Sequence, residues 1–235
     1  MDAEGTTMSS DMTASGAGAH DDARLEAAGP GATRRDAAAS PATAAASIAD
    51  SGQSARDRLL AAATALFYRE GIHSVGVDRV IDTAGVTRAT MYRHFAGKED
   101  LVLEYLRGED AGIRSLFDAA GAATADPSVL LDLVVDGVAA DIRTRHTRGC
   151  PFINAAAEYP DQGPVRELIA AHRAWFRETL RALAEGAGVD DPDDVAAGLV
   201  LLRDAAMVGG YLDGREVVAP VFSRTARELI AAHRR

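Results

Sequence analysis

The chain has a single cysteine, Cys150, among 235 residues. One thiol excludes an intrachain disulfide framework and fits a reducing compartment. No basic start followed by an apolar core marks a secretory leader, and no apolar run approaches the ~20 residues that a membrane span needs. A cytoplasmic protein without a membrane partner is expected. Enzymatic signatures are equally scarce: there is no Gly-rich phosphate loop, no nucleophile elbow and no Cys/His cluster with metal spacing, and the six histidines make no i, i+4 pair. Neither catalysis, a cofactor nor a metal is expected. No alternating strand pattern appears, which leaves an all-α class. Positive charge is also short. A net charge of −10 argues against general affinity for polyanions, but the deficit is uneven. Residues 1–53 carry −5, residues 54–107 carry +1 and residues 108–235 carry −6, and phosphate contacts depend on a local patch.

The least acidic segment is also the most patterned. Ser54-Ala55-Arg56-Asp57 reads as a capping box with Asp in place of Glu, and Leu59, Leu60, Ala63, Leu66 and Phe67 follow at helical spacing up to Gly71. Val77, Val80, Ile81 and Ala84 bury one face of a second helix, which Gly85 closes in the left-handed conformation. Thr87 caps a third helix whose inward stripe is Met91 and Phe95. At about 100° per residue the outward face carries Ala89 and Arg93 flanked by Thr90 and Tyr92, with Arg88 in the first turn. Arginine takes guanine O6 and N7 bidentately, a small residue meets a thymine methyl, and hydroxyls suit phosphate oxygens. Gly97-Lys98 opens another helix with a lysine, favouring phosphate by dipole and charge. Arg56 and Arg58 are open between a solvated face and a flanking phosphate contact.

Gly85-Val86-Thr87-Arg88-Ala89-Thr90-Met91-Tyr92-Arg93-His94-Phe95, followed by Gly97-Lys98-Glu99-Asp100-Leu101, resembles the helix-turn-helix of TetR-type (TetR/AcrR) transcriptional regulators, over roughly residues 54–106. The resemblance implies a helix-turn-helix DNA-binding domain at 54–100 and a helical effector-binding and dimerisation domain at 101–235. It implies a homodimer through the last two helices, a double-stranded operator as partner, and DNA contacts by Thr87, Arg88, Ala89, Thr90, Tyr92, Arg93, His94 and Lys98. It also implies a repressor released from a palindromic operator by a small hydrophobic effector. Many relatives have Thr or Ser where this chain has Val75-Gly76, so a capping hydroxyl and one phosphate contact are missing. That departure alone motivates the alternative, a ligand-binding or scaffold protein of the same fold with weak or no operator binding.

Residues 1–53 are dominated by Ala, Gly, Ser, Thr and Asp. They lack the apolar content to offset chain entropy and are expected to be a disordered tail. Downstream, a helix runs from Lys98 to about Gly121–Asp126. A second starts at Pro127 with the stripe Val129, Leu130, Leu133, Val134, Val138 and Ile142, followed by a basic loop at 143–149 and a short helix near 150–160. Three more are expected at about 164–185, 192–211 and 220–233. In the last two, Val195, Leu199, Leu202, Ala206 and Phe222, Ala226, Leu229, Ile230 form apolar stripes suited to close helix packing, which the resemblance assigns to the dimer interface. Phe117, Phe152, Asn154, His172, Trp175, Phe176, Met207 and Tyr211 are candidates for an effector pocket, with ordinary core packing as the other reading. Cys150 is open between a buried residue at a helix start and a redox thiol activated by Arg145, His146 and Arg148.

Overall fold

The computed structural model describes residues 53–234. The expected tail lies, but for its last residue, outside them. Among the described residues there are nine α-helices and no strand: α1 (Ala55–Glu70), α2 (Val77–Ala84), α3 (Arg88–His94), α4 (Lys98–Ala123), α5 (Pro127–Thr144), α6 (Pro151–Glu158), α7 (Pro164–Gly186), α8 (Pro192–Gly209) and α9 (Arg215–Ala232), with a π-helical turn at Gly210–Gly214 before α9.

Local signals set most boundaries. Ser54 Oγ accepts from the Asp57 amide at 3.2 Å and Thr87 Oγ1 from the Thr90 amide at 3.1 Å, each satisfying a donor that has no partner within its helix. Proline opens α5, α6, α7 and α8, where its missing N–H costs nothing. Gly85 closes α2 at φ 62°, ψ 41°, a conformation that would strain any residue with a Cβ.

α1, α2, α3 and the first half of α4 share a core in which Leu59, Val75, Val80, Met91, Leu101 and Leu106 are fully covered. Val75 is part of this core, and Gly76, at the cap of α2, provides no side-chain cap hydrogen bond. α4 continues without a break past residue 100 and packs on α7, so the boundary expected between 100 and 101 falls inside one rigid helix. α7 packs on α8, α8 on α9, and α9 on α5.

Four expectations change. Arg143 and Thr144 belong to α5, which shortens the basic loop. The buried line of α5 is Leu131, Val135, Ala139 and Ile142, while Val129 and Leu133 are exposed; the helix is apolar nearly all round, so periodicity did not fix which side turns inward. α9 begins at Arg215, and Pro220 sits inside it. The break comes six residues earlier, at Gly214 with φ 103°, the last residue of a π-helical turn that no local signal announces. Finally, Pro192–Ala232 is by composition apolar enough for a membrane span. It folds instead as an antiparallel hairpin, with Gly198 against Leu229 and Gly209 against Val218.

Candidate functional site

The turn at Gly85 presents α3 with Met91 down in the core and Ala89, Tyr92, Arg93 and His94 outward. Among the described residues neither Arg93 nor His94 has an ion-pair or hydrogen-bond partner from a side chain. Arg88 differs: its guanidinium reaches across to the Asp78 carboxylate on α2. Thr90 Oγ1 lies 2.9 Å from Thr87 Oγ1, so both hydroxyls serve the helix start. Lys98, the chain's only lysine, opens α4 beside α3 with its Nζ 3.5 Å from the His73 carbonyl. Partial burial draws its pKa down, against the opposing pull of Glu158. Arg56 and Arg58 are also engaged within the chain. Arg56 pairs with Glu104 and lies over the Phe95 ring, and Arg58 donates to the Ala84 and Gln53 carbonyls at 3.2 and 3.0 Å.

A cavity of about 90 Å³ opens between α4, α5, α7 and α8. Its walls are mostly apolar, from Ile113, Leu116 and Phe117 on α4 and Leu133, Val134 and Val138 on α5. Of the residues expected there, Phe117, His172, Phe176 and Met207 line it. Phe152 stands behind, stacked on His172 with centroids 3.8 Å apart and planes 7° from parallel. Trp175 packs edge-on to Phe117 and carries the Arg114 guanidinium on its face at 4.0 Å. Asn154 and Tyr211 lie elsewhere, together in a separate groove beside Gly149. Asn154 follows Phe152 by two positions on a helix and so points the other way; its Nδ2 donates to the Arg148 carbonyl at 3.1 Å. Tyr211 follows Met207 by four, but the π-helical turn widens the spiral and leaves it exposed.

The helix-turn-helix and the residues around it match the family model "Bacterial regulatory proteins, tetR family" over residues 59–105. A transcriptional repressor of Rhodococcus jostii, KstR2, is 31% identical over 172 residues, covering 67% of this chain and 79% of that protein. The chain belongs to the TetR family. Its likeness to a solved TetR-family regulator from Streptomyces coelicolor, SCO4454, extends through both halves: 43% identity, a TM-score of 0.74, and coverage of 77% of this chain and 96% of that one. The LmrA regulator of Bacillus subtilis is 29% identical over 133 residues, covering 54% of this chain and 71% of that protein. The protein is a DNA-binding transcriptional regulator, and TetR regulators bind operators as dimers.

In this TetR-family chain a joint connects the reading head to the cavity. The Tyr68 hydroxyl on α1 accepts from the Arg148 amide at 2.7 Å and donates to the Gly149 carbonyl at 3.0 Å. Burial pushes its pKa up to about 12, so it stays a neutral phenol able to do both. Glu158, at the end of α6, accepts from the amides of Ile72 and His73 at 2.8 and 2.5 Å. The other end of α6 carries Phe152, against His172. One short helix thus touches the cavity wall and the loop before α2.

Several polar residues escaped the sequence reading. Arg203 is buried on α8, donating to Cys150 Sγ at 3.1 Å and Asp204 at 3.0 Å. An arginine four residues after Leu199 and three before Ala206, within an apolar stripe, was the available signal. Cys150 is itself buried, at the position opening α6, and lacks the exposure that a redox thiol requires. His146, expected in a basic loop, is buried with Asp141 2.7 Å from Nδ1 and Glu109 3.1 Å from Nε2. Burial disfavours its charged form, but the two carboxylates outweigh that and raise its pKa. A raised native pKa means that the stability from this group is complete below the unfolded value of about 6.5 and is lost as pH rises through the native value. Thermal midpoints measured upward from pH 6 should therefore fall more for wild type than for His146→Gln. Parallel curves would show that His146 does not titrate in this way.

Proposed function

We propose that the protein is a homodimeric repressor that reads a palindromic operator with α3 and is released when a small apolar molecule enters the cavity. The observation that carries the dimer is a face of the α8–α9 hairpin that the chain leaves uncovered. Leu201 and Leu212 are each 69% exposed, with Val208, Val217 and Val221 also on the surface. The stripes expected to meet a partner, Val195, Leu199, Ala206, Phe222, Ala226 and Ile230, are buried in the chain's own core; Leu202 and Leu229 are packed against it. Periodicity shows that a helix buries a face, not against what. A contiguous apolar surface on a soluble domain is a partner site, and a twofold pair places two α3 helices about 34–36 Å apart to read successive major grooves. Because the partner is DNA, the place of action is the cytoplasm, and the reading assigns no catalysis.

Thr87, Arg88, Ala89, Thr90, Tyr92, Arg93, His94 and Lys98 are the proposed DNA contacts. Arg93 meets bases without rearrangement, whereas Arg88 must first leave Asp78. Arg93→Ala and Arg88→Ala are expected to weaken operator binding and relax base preference by about 1–3 kcal/mol each. Lys98→Ala and Tyr92→Phe should weaken all sequences about equally. Titration of each variant against operator and scrambled duplex is the check, and unchanged discrimination in both arginine variants would remove them as base readers. Footprinting the purified protein on DNA upstream of its own coding region tests operator binding itself. No protected site there or in a genomic selection would favour a scaffold role.

A further inference from the structure

The cavity has one polar end, and its chemistry is asymmetric. His172 Nδ1 lies 2.7 Å from Asp110, which Arg114 also holds at 2.7 Å. Burial favours the protonated carboxyl, but the hydrogen bonds from Arg114 and His172 and the Arg114 charge outweigh it and keep Asp110 below its ordinary range. An ionised carboxylate only accepts, so the proton on Nδ1 is fixed there. Burial lowers the His172 pKa more than Asp110 raises it, and Arg203 and Arg114 add to the lowering. The ring is therefore neutral, and Nε2 is a lone-pair acceptor.

No protein group among the described residues is hydrogen-bonded to Nε2, yet no buried side-chain nitrogen or oxygen among them lacks a partner. Nε2 is thus reachable, and His172 lines the cavity. Arg203 lines it too, with Nη1 spent on Cys150 and Asp204 and its other N–H groups without a protein acceptor among the described residues. His172 and Arg203, which also line a small cleft beside Phe152 and Val200, thus bring a lone-pair acceptor and N–H donors together at the wall of the apolar chamber.

The geometry points to an effector that is an uncharged apolar molecule bearing a hydroxyl, a phenol in the first instance, whose O–H donates to His172 Nε2 while its oxygen accepts from Arg203. This rests on the cavity being the effector site. A carboxylate would set its negative oxygens against the Nε2 lone pair, and the Arg203 charge is already compensated by Asp204. A cation would meet Arg203 and Arg145, and the Asp141 carboxylate in the same lining is already engaged with His146 at 2.7 Å. An ether or a bare hydrocarbon would leave Nε2 without a donor, a loss that polar sites penalise more than a missing methylene.

The test is calorimetric titration of the full chain with 4-butylphenol, 4-butylanisole and 4-butylbenzoate, which share one apolar frame. The phenol is expected to bind at least tenfold more tightly than the ether and the benzoate. His172→Phe keeps the stack on Phe152 and removes the acceptor, so it should bring phenol and ether within threefold. Asp110→Asn frees the tautomer and should shrink the same ratio, giving a second route if His172→Phe misfolds; the wild-type series decides alone if both do. Equal binding of phenol and ether, tightest binding of the benzoate, no binding by any of the three, or an unchanged ratio in a folded His172→Phe each overturns the proposal. The wider reading fails separately, if compounds found by screening for operator release act identically on wild type and Phe176→Ala.

Discussion

Replacing Leu201 and Leu212 together by glutamate should yield a folded monomer whose affinity for a palindromic operator is lower by about 10²–10⁴-fold. Both side chains are exposed in the single chain, so the substitutions leave its own core intact and the unfolding midpoint of the monomer nearly unchanged. In a twofold interface each glutamate would be buried without a partner, and several kcal/mol per uncompensated charge is enough to prevent association. Loss of the second reading helix turns a bivalent contact into a univalent one, so the two affinities part: binding to a single half-site should change little, binding to the full palindrome greatly. Sedimentation gives the first quantity and titration on the two duplexes the second. A double variant that remains dimeric, or a monomer that holds the full operator as wild type does, would place the interface elsewhere.

Glu158→Ala should separate effector binding from operator release. Its carboxylate holds the Ile72 and His73 amides at the loop leading to α2, and Gly71 lies against the same carboxylate. Removing it strands those donors, at a cost of about 1–3 kcal/mol for a buried one. The larger consequence is mechanical. A ligand shifts a two-state equilibrium only by its differential affinity for the two states, and a molecule touching His172 reaches the reading head by two routes. One is α4, continuous from Lys98 to the cavity wall at Ile113 and Phe117. The other is Phe152, α6 and Glu158. With the second cut, effector affinity measured by calorimetry should stay within about threefold of wild type while the concentration needed for operator release rises at least tenfold, some 1.4 kcal/mol of lost coupling. Glu158→Gln keeps one carbonyl acceptor and should fall between. An unaltered release curve in Glu158→Ala would leave α4 and the Tyr68 joint as the remaining routes.

The surface around α3 and the cavity differ in how far they were legible. α3 is set by contacts within a few residues: Gly85 turns the chain, Thr87 caps, and Met91 and Phe95 fix which side faces out. Every residue of its outer face follows from those. The cavity is set by pairs such as Asp110 with His172 and Cys150 with Arg203, 62 and 53 positions apart. No spacing rule relates them, so Phe117, Phe176 and Met207 were identified as apolar residues and His172 as a polar one on the right helices, while Asp110 and Arg203 beside it were not.

The amino-acid sequence by itself determined the helical class, eight of the nine helix starts to within a residue or two, and the outward face of α3, because caps, prolines and 3.6-residue periodicity act over one or two turns of backbone. Tertiary structure alone decided which side of α5 and of the α8–α9 hairpin is buried, where the chain turns back at Gly214, and how Glu158 and Tyr68 bind the reading head to the rest. The physical reason is that an apolar helix surface has no intrinsic partner. Which neighbour covers it, and which buried polar groups then find one another, depends on the simultaneous packing of segments far apart in the chain.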